Sequence, residues 1–151
     1  MSAKLLAFAT LFSLLSGFTP NLGLDSFEVY LNDKLVLQQY VNQPESQRQL
    51  ELEGALPEDQ LQITYRHCTT KGSGSDRVIQ LKDQKGEVLK AWHFDNDPAS
   101  NTVMSLSVGG LLKLAKAYPD ARLRLYYTAK ELPEGMLLAA LQFGPEQAAV
   151  N

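Results

Sequence analysis

Apolar and polar residues alternate one by one over much of this chain. The stretch FEVYL sets Phe27, Val29 and Leu31 against Glu28 and Tyr30. The same period of two recurs in RQLELEG, LQITYRH, RVIQLKD and RLRLYYT. Successive side chains of a strand point to opposite faces, so this period predicts strands that place one face on a core and the other in water.

Turn-forming residues separate these runs. Asn32 and Asp33 in LNDKL tolerate positive φ and predict a tight hairpin. Gly86 in KDQKGEV predicts a second turn, and Pro133 with Gly135 in ELPEGM predicts a third. Short strands at intervals of roughly 8–12 residues, separated by such turns, are typical of a β-sandwich.

One segment has a helical period instead. SVGGLLKLAKAYPD carries apolar residues three and four positions apart, with Ser107 placed to cap its start and Pro119 to end it. We therefore expect a short helix over residues 107–118. The later stretch MLLAALQF is apolar on both faces, which indicates a strand that lies inside a sheet or beneath the helix.

These patterns predict a mostly β protein. We expect an antiparallel β-sandwich of eight or nine strands with one short helix, formed as a single domain by residues 21–151. The chain has 151 residues, of which 44% are hydrophobic and 21% are charged. This length and composition are sufficient for one hydrophobic core.

The first 20 residues differ in composition from the rest. Lys4 precedes an uncharged apolar run over residues 5–18, and the turn-forming TPNLG follows. This order predicts an export signal, with cleavage between Ser16 and Asp25, and a mature protein in the periplasm or outside the cell. The run is shorter than the roughly 20 residues of a membrane span, so we expect no stable transmembrane segment after its removal. A buried N-terminal helix or a short anchor is the alternative.

Charge and cysteine content narrow the possible partners. The formal net charge is −3, which argues against nucleic acid as a ligand, because Lys and Arg on phosphate carry most of that affinity. Cys68 is the only cysteine, so it forms no disulfide within the chain. We expect its thiol either to be buried or to pair with another chain.

The stretch RHCTTKGSGSD places a histidine beside that cysteine. Neighbouring side chains on a strand point to opposite faces, so His67 is expected to share the core face of Tyr65 while Cys68 points away. This arrangement does not suit a catalytic dyad. The glycine-containing residues 69–76 are expected to form a hairpin loop. A metal site would require His93 to lie beside His67 and Cys68 in the fold. The sequence lacks the short spacing between ligands that is typical of such sites. The sequence therefore predicts no cofactor and no catalytic residue.

A small group of surface residues is the better candidate for binding. Tyr126 alternates outward in RLRLYYT, and Arg122 and Arg124 lie on the same face. Together they predict a polar and aromatic patch that suits an acidic ligand or partner. The alternation in VLKAWHF is ambiguous, so Trp92 is expected either in the core or on the surface as a further contact.

We therefore expect an exported, non-enzymatic module that binds a protein or another component of the cell envelope, as a monomer or a weak homodimer. One alternative is a module that binds a small molecule or a glycan through Tyr126 or Trp92. A second is a metal-binding or thiol-based protein that uses His67, Cys68 and His93. The sequence leaves the ligand open.

Overall fold

The computed structural model describes residues 24–68, 74–95 and 103–144, and the predicted export signal in residues 1–20 lies outside them. The described part is mostly β. Its elements in chain order are β1 (Ser26–Leu31), β2 (Lys34–Tyr40), a 3-10 turn (Glu45–Gln47), β3 (Gln49–Glu51), β4 (Gln60–Arg66), β5 (Arg77–Lys82), β6 (Val88–Phe94), β7 (Met104–Ser107), α1 (Val108–Ala117), β8 (Arg124–Ala129) and β9 (Leu132–Gln142). None of the helices in these ranges is long and apolar enough to span a bilayer.

The strands form two sheets, which confirms the predicted sandwich. One sheet has the order β2-β1-β4-β7, and the other has the order β3-β9-β8-β5-β6. All neighbouring pairs are antiparallel except β3 and β9, which run parallel. This pair departs from the expectation of a wholly antiparallel sandwich. No hairpin joins β3 to β9, so the connection does not impose the antiparallel direction.

The period-two pattern correctly predicts which residues form the core. The inward positions of four central strands are almost fully buried: Phe27, Val29, Leu61, Ile63, Tyr65, Ile79, Leu81, Leu125 and Tyr127. Burial of each large apolar side chain stabilises the fold by about 1.5–3 kcal/mol relative to exposure. The apolar stretch around β9 is central as predicted, because β9 lies between β3 and β8.

Two of the three predicted turns are confirmed. Asn32 and Asp33 have φ values of 47° and 66° and join β1 to β2, and Gly86 has a φ of 86° between β5 and β6. The predicted turn at Pro133 and Gly135 is wrong, because both residues lie inside β9. Gly135 has a φ of 80° where the register between β8 and β9 shifts, so it marks a bulge rather than a turn.

The hairpin predicted for residues 69–76 is also wrong. β4 pairs with β1 and β7, whereas β5 pairs with β6 and β8. The chain therefore crosses from one sheet to the other between β4 and β5. Residues 69–73 of this connection lie outside the described ranges.

The helix predicted over residues 107–118 is observed as α1. The Ser107 side chain accepts a hydrogen bond from the Gly110 N–H at 3.4 Å, as expected of an N-cap. A Cβ atom on Gly109 would lie 2.8 Å from the Pro57 carbonyl oxygen. This close approach explains a glycine in the first turn, where its low helix propensity is otherwise unfavourable.

Arg48 is a buried cation that ties the segment after β2 to the other sheet. Only 1% of its surface is exposed. One terminal nitrogen donates to the Leu137 carbonyl at 2.9 Å, and the other donates to the Val41 and Gln43 carbonyls at 3.1 Å each. The guanidinium thereby satisfies backbone oxygens that would be costly to bury without a donor.

Replacing Arg48 by methionine is expected to lower the free energy of unfolding by about 2–4 kcal/mol, because carbonyl acceptors lose charged donors. Urea denaturation measures the loss. Arg66→Met is the matched control, because the Arg66 side chain is 55% exposed, and we expect a change within about 0.5 kcal/mol. Equal losses in the two variants would contradict the role assigned to Arg48.

Candidate functional site

Two stacked tyrosines join the sheets at the end of the core. Tyr65 on β4 and Tyr127 on β8 have ring centroids 4.1 Å apart and ring planes 15° apart. Phe27 on β1 extends the stack at 6.4 Å from Tyr65. Stacked aromatic pairs contribute about 0.5–1.5 kcal/mol beyond the apolar area that they bury.

A chain of polar contacts surrounds this stack. His67 Nε2 lies 2.8 Å from the Tyr127 hydroxyl, and His67 Nδ1 lies 3.4 Å from Asp25 Oδ2. Asp25 also accepts from the Tyr65 hydroxyl at 3.0 Å and from the Cys68 N–H at 2.8 Å. The imidazole of His67 therefore contacts a phenol with one ring nitrogen and a carboxylate with the other. We refer to Asp25, Tyr65, His67 and Tyr127 as the interior cluster.

Burial keeps both tyrosines of the interior cluster protonated. Desolvation is the main cause that raises the pKa of Tyr65, and the negative charge of Asp25 raises it further. Desolvation likewise raises the pKa of Tyr127, against an opposing effect of the Arg77 charge. Both phenols therefore act as neutral hydrogen-bonding groups at physiological pH.

Gly74, in the connection between β4 and β5, packs over the interior cluster. A Cβ atom on Gly74 would lie 2.7 Å from both His67 Nε2 and the Tyr127 hydroxyl oxygen. Ser75 holds this glycine in place, because its N–H and hydroxyl both donate to the Glu131 carboxylate, at 2.9 and 2.7 Å. Only glycine fits this position.

The order carboxylate, imidazole and hydroxyl also occurs in proton-relay sites. Here, however, the Tyr127 side chain is fully buried, and Gly74 packs directly over the imidazole nitrogen that faces it. A substrate atom has no room beside the hydroxyl. The geometry of the interior cluster favours a structural role in joining the sheets.

The structure separates the three residues of the predicted metal alternative. His67 is 4% exposed and faces the core, whereas His93 on β6 is exposed. Cys68 is a partly exposed free thiol. Within residues 24–68, 74–95 and 103–144, no group of three His, Cys, Asp or Glu side chains is placed to hold a metal ion.

The structure places the predicted surface residues on the outer face of the five-stranded sheet. Tyr126 and Arg124 alternate outward on β8, and Arg122 is exposed just before this strand. β5 adds Lys82, which is the register partner of Arg124. The Lys82 ammonium nitrogen lies 4.6 Å from the centre of the Tyr126 ring. We refer to Lys82, Arg122, Arg124 and Tyr126 as the basic patch.

Lys82 is a member of the basic patch that the sequence alone did not predict. The alternation in RVIQLKD does place Lys82 on the outward face of its strand, because its neighbour Leu81 points into the core. The sequence does not show that β5 lies beside β8, so nothing links Lys82 to Arg124 before the sheet order is known.

Trp92 lies apart from the basic patch. It pairs in register with the buried Ile79 and packs, partly buried, against the core. A register shift between Leu81 and Lys82 interrupts the alternation of inward and outward side chains along β6. Val88 is therefore exposed, although an unbroken alternation would place it on the same face as Trp92. This bulge explains the ambiguous alternation of VLKAWHF.

No protein-family model matches the chain, and no curated protein or solved structure shows significant similarity to it.

Gly74→Ala is expected to destabilise the protein more than Gly86→Ala. Both glycines have a similar positive φ, but a Cβ atom on Gly86 would meet no atom within 4 Å. The Gly86 variant therefore measures the conformational cost alone, about 1–2 kcal/mol. We expect the Gly74 variant to lose a further 1–3 kcal/mol, roughly, because its methyl group overpacks the interior cluster. Equal losses in urea denaturation would contradict the close packing at Gly74.

The buried tyrosines predict a loss of stability in alkaline solution. The unfolded chain ionises them near the ordinary pKa of 10.0, whereas the folded state keeps them protonated. Above this pH the folded state binds more protons, so the free energy of unfolding falls as pH rises, by about 1.4 kcal/mol per pH unit for each tyrosine. In urea denaturation from about pH 10 to about pH 12, Tyr127→Phe should remove one such contribution. An unchanged slope would contradict this assignment.

Proposed function

We propose that this protein is an exported, non-enzymatic module that binds an acidic segment of a protein partner through the basic patch. The observation that carries the proposal is the placement of Lys82 directly opposite Arg124 on adjacent strands. Like charges at opposed positions destabilise a sheet by a fraction of a kcal/mol, about 0.2–1. A bound carboxylate between them would relieve this repulsion.

The basic patch has no counter-charge among the described residues. None of their carboxylates lies within ion-pair distance of Lys82, Arg122 or Arg124. The nearest acid along the chain, Asp83, is used by the hairpin turn, where its Oδ1 accepts from the N–H groups of Lys85 and Glu87 at 2.8 and 2.9 Å. The cations are therefore available to an external anion.

Local contacts hold the patch in one arrangement. The Tyr126 ring attracts the Lys82 ammonium, a cation–π contact worth about 0.5–1 kcal/mol at an exposed site. The Gln84 side-chain oxygen accepts from the Arg122 N–H at 2.8 Å, which fixes the approach to β8. Arranging the cations before binding lowers the entropy lost when a partner docks.

The chemistry of the patch favours a carboxylate-bearing protein segment. Arginine binds carboxylates with two parallel hydrogen bonds, and Tyr126 supplies an apolar surface beside them. The net charge of −3 works against a long polyanion such as nucleic acid, because the rest of the surface repels it. The packing of Trp92 against the core removes support for a sugar-binding role of this residue.

Two further features support the other parts of the proposal. The apolar run in the first 20 residues supports export. The closed interior cluster, where imidazole and phenol are inaccessible to a substrate, supports a role in binding rather than catalysis.

Arg124→Glu tests the patch by separating binding from stability. A glutamate opposite Lys82 replaces repulsion with attraction, so the free energy of unfolding should rise by about 0.2–1 kcal/mol. Binding of a fluorescein-labelled octaglutamate peptide, measured by fluorescence anisotropy at low salt, should weaken by about tenfold. High salt should weaken the wild-type interaction as well.

Two variants serve as controls. Lys113→Glu on the exposed face of α1 makes the same change in net charge away from the patch, and we expect unchanged peptide binding. Arg122→Glu has no strand partner of like charge, so it should weaken binding without raising stability. The proposal fails if the wild type does not bind the peptide, or if Lys113→Glu weakens binding as much as Arg124→Glu.

A further inference from the structure

The outer face of the four-stranded sheet carries a polar groove. It has a volume of about 310 Å³, and Val103 is the aliphatic residue among the described ones that line it. Its polar lining residues come from β1, β4 and the β1–β2 turn: Glu28, Tyr30, Asp33, Gln62, Thr64 and Arg66. Within the described residues, β7 pairs with β4 as far as Ile63, and the groove is lined by Thr64 and Arg66 beyond that point.

Glu28 is fixed in the groove by its neighbours. Its Oε1 accepts from Gln38 Nε2 at 3.0 Å, and its Oε2 accepts from the Tyr30 hydroxyl at 3.1 Å. Arg66 approaches the same Oε2 at 3.7 Å. The carboxylate therefore has a set position before any ligand arrives, and it keeps lone pairs for a further donor.

The groove offers hydrogen-bond donors and acceptors together. Gln62 Oε1 accepts from the Asp33 N–H at 3.3 Å, which leaves the Gln62 amide nitrogen as a donor. More than half of the Arg66 side chain is exposed, and the long contact with Glu28 uses only part of its donor capacity. Thr64 adds a hydroxyl, and Asp33 adds an exposed carboxylate.

We propose that this groove binds an uncharged sugar ring of the hexopyranose class. Each ring hydroxyl both donates and accepts, which matches a lining that mixes carboxylate, guanidinium, amide and hydroxyl groups. The volume is at the lower limit of small-molecule sites, about 300–1,000 Å³, and it suits a ligand of this size. The Tyr30 ring offers an apolar surface to the C–H face of the sugar.

The charges of the groove select against anionic ligands. Among the described lining residues, the two carboxylates of Glu28 and Asp33 outnumber the Arg66 guanidinium, so an anion is repelled. A titration with methylammonium tests whether a cation binds instead. Most of the described lining residues carry polar groups, so an apolar ligand would bury these groups without partners. This groove lies on a different sheet from the basic patch, so the result of a binding test at one site does not decide the other.

The test is an NMR titration of the isotopically labelled protein with glucose, galactose, mannose and N-acetylglucosamine in turn. We expect at least one sugar to shift the backbone amide signals of the groove residues, with a Kd of about 1 mM, since the groove is open. Thr64→Val removes one hydroxyl while keeping a β-branched residue, and it should weaken binding at least about fivefold.

Thr128→Val is the matched control, because Thr128 lies on the outer face of the other sheet and its loss should leave sugar binding unchanged. Gln62→Ala provides a second groove variant and should reproduce the weakening if Thr64→Val disturbs the fold. The proposal is overturned if none of the sugars shifts the groove signals, or if the shifts centre on another surface. It is also overturned if acetate or methylammonium produces the same shifts, or if Thr128→Val weakens binding equally.

Discussion

The stacking of Tyr65 on Tyr127 is the contact on which the arrangement of both sheets depends. It joins β4 of one sheet to β8 of the other, and His67 and Asp25 complete the hydrogen bonds of the two phenols. Once Tyr127 faces the core, strand geometry turns its neighbour Tyr126 to the outside. The same contact therefore closes the interior and sets the direction of the surface residues on β8.

The interior polar groups help to define one arrangement of the chain. Arg48 satisfies carbonyl oxygens from the segment after β2 and from β9, and Asp25 accepts from residues at the end of β4. An alternative packing would leave these groups buried without partners, which costs about 1–3 kcal/mol for each. Hydrophobic burial alone is less selective, because an apolar core tolerates different packings of similar volume.

Much of the fold could be predicted from the sequence because alternation reports directly on strand faces. Leu123, Leu125 and Tyr127 are buried as their period requires, and Ser107 caps the start of the helix as predicted. The prediction from the sequence was wrong where the fold depends on which strands become neighbours. The pattern predicted a hairpin where the chain crosses between sheets after His67, because adjacency along the chain does not reveal sheet membership.

The candidate sites, too, could be predicted from the sequence only where their residues lie on one strand. Arg122, Arg124 and Tyr126 follow one strand, so their common face is visible in the sequence. Lys82 joins them only through the pairing of β5 with β8. Asp25 is likewise distant in sequence from His67, and no local pattern connects them. Sites built along one strand are accessible to sequence reasoning, whereas sites built across strands require the register.

The parallel pairing of β3 with β9 determines when the five-stranded sheet can be finished. β3 lies early in the chain, and among the described residues its one sheet neighbour is β9, the last of the described strands. During synthesis the ribosome must therefore deliver β9 before β3 has any partner, and such long-range closure is slow because it orders a large loop at once. The five-stranded sheet of the nascent polypeptide therefore stays incomplete until β9 has been synthesised, although β3 is made long before it.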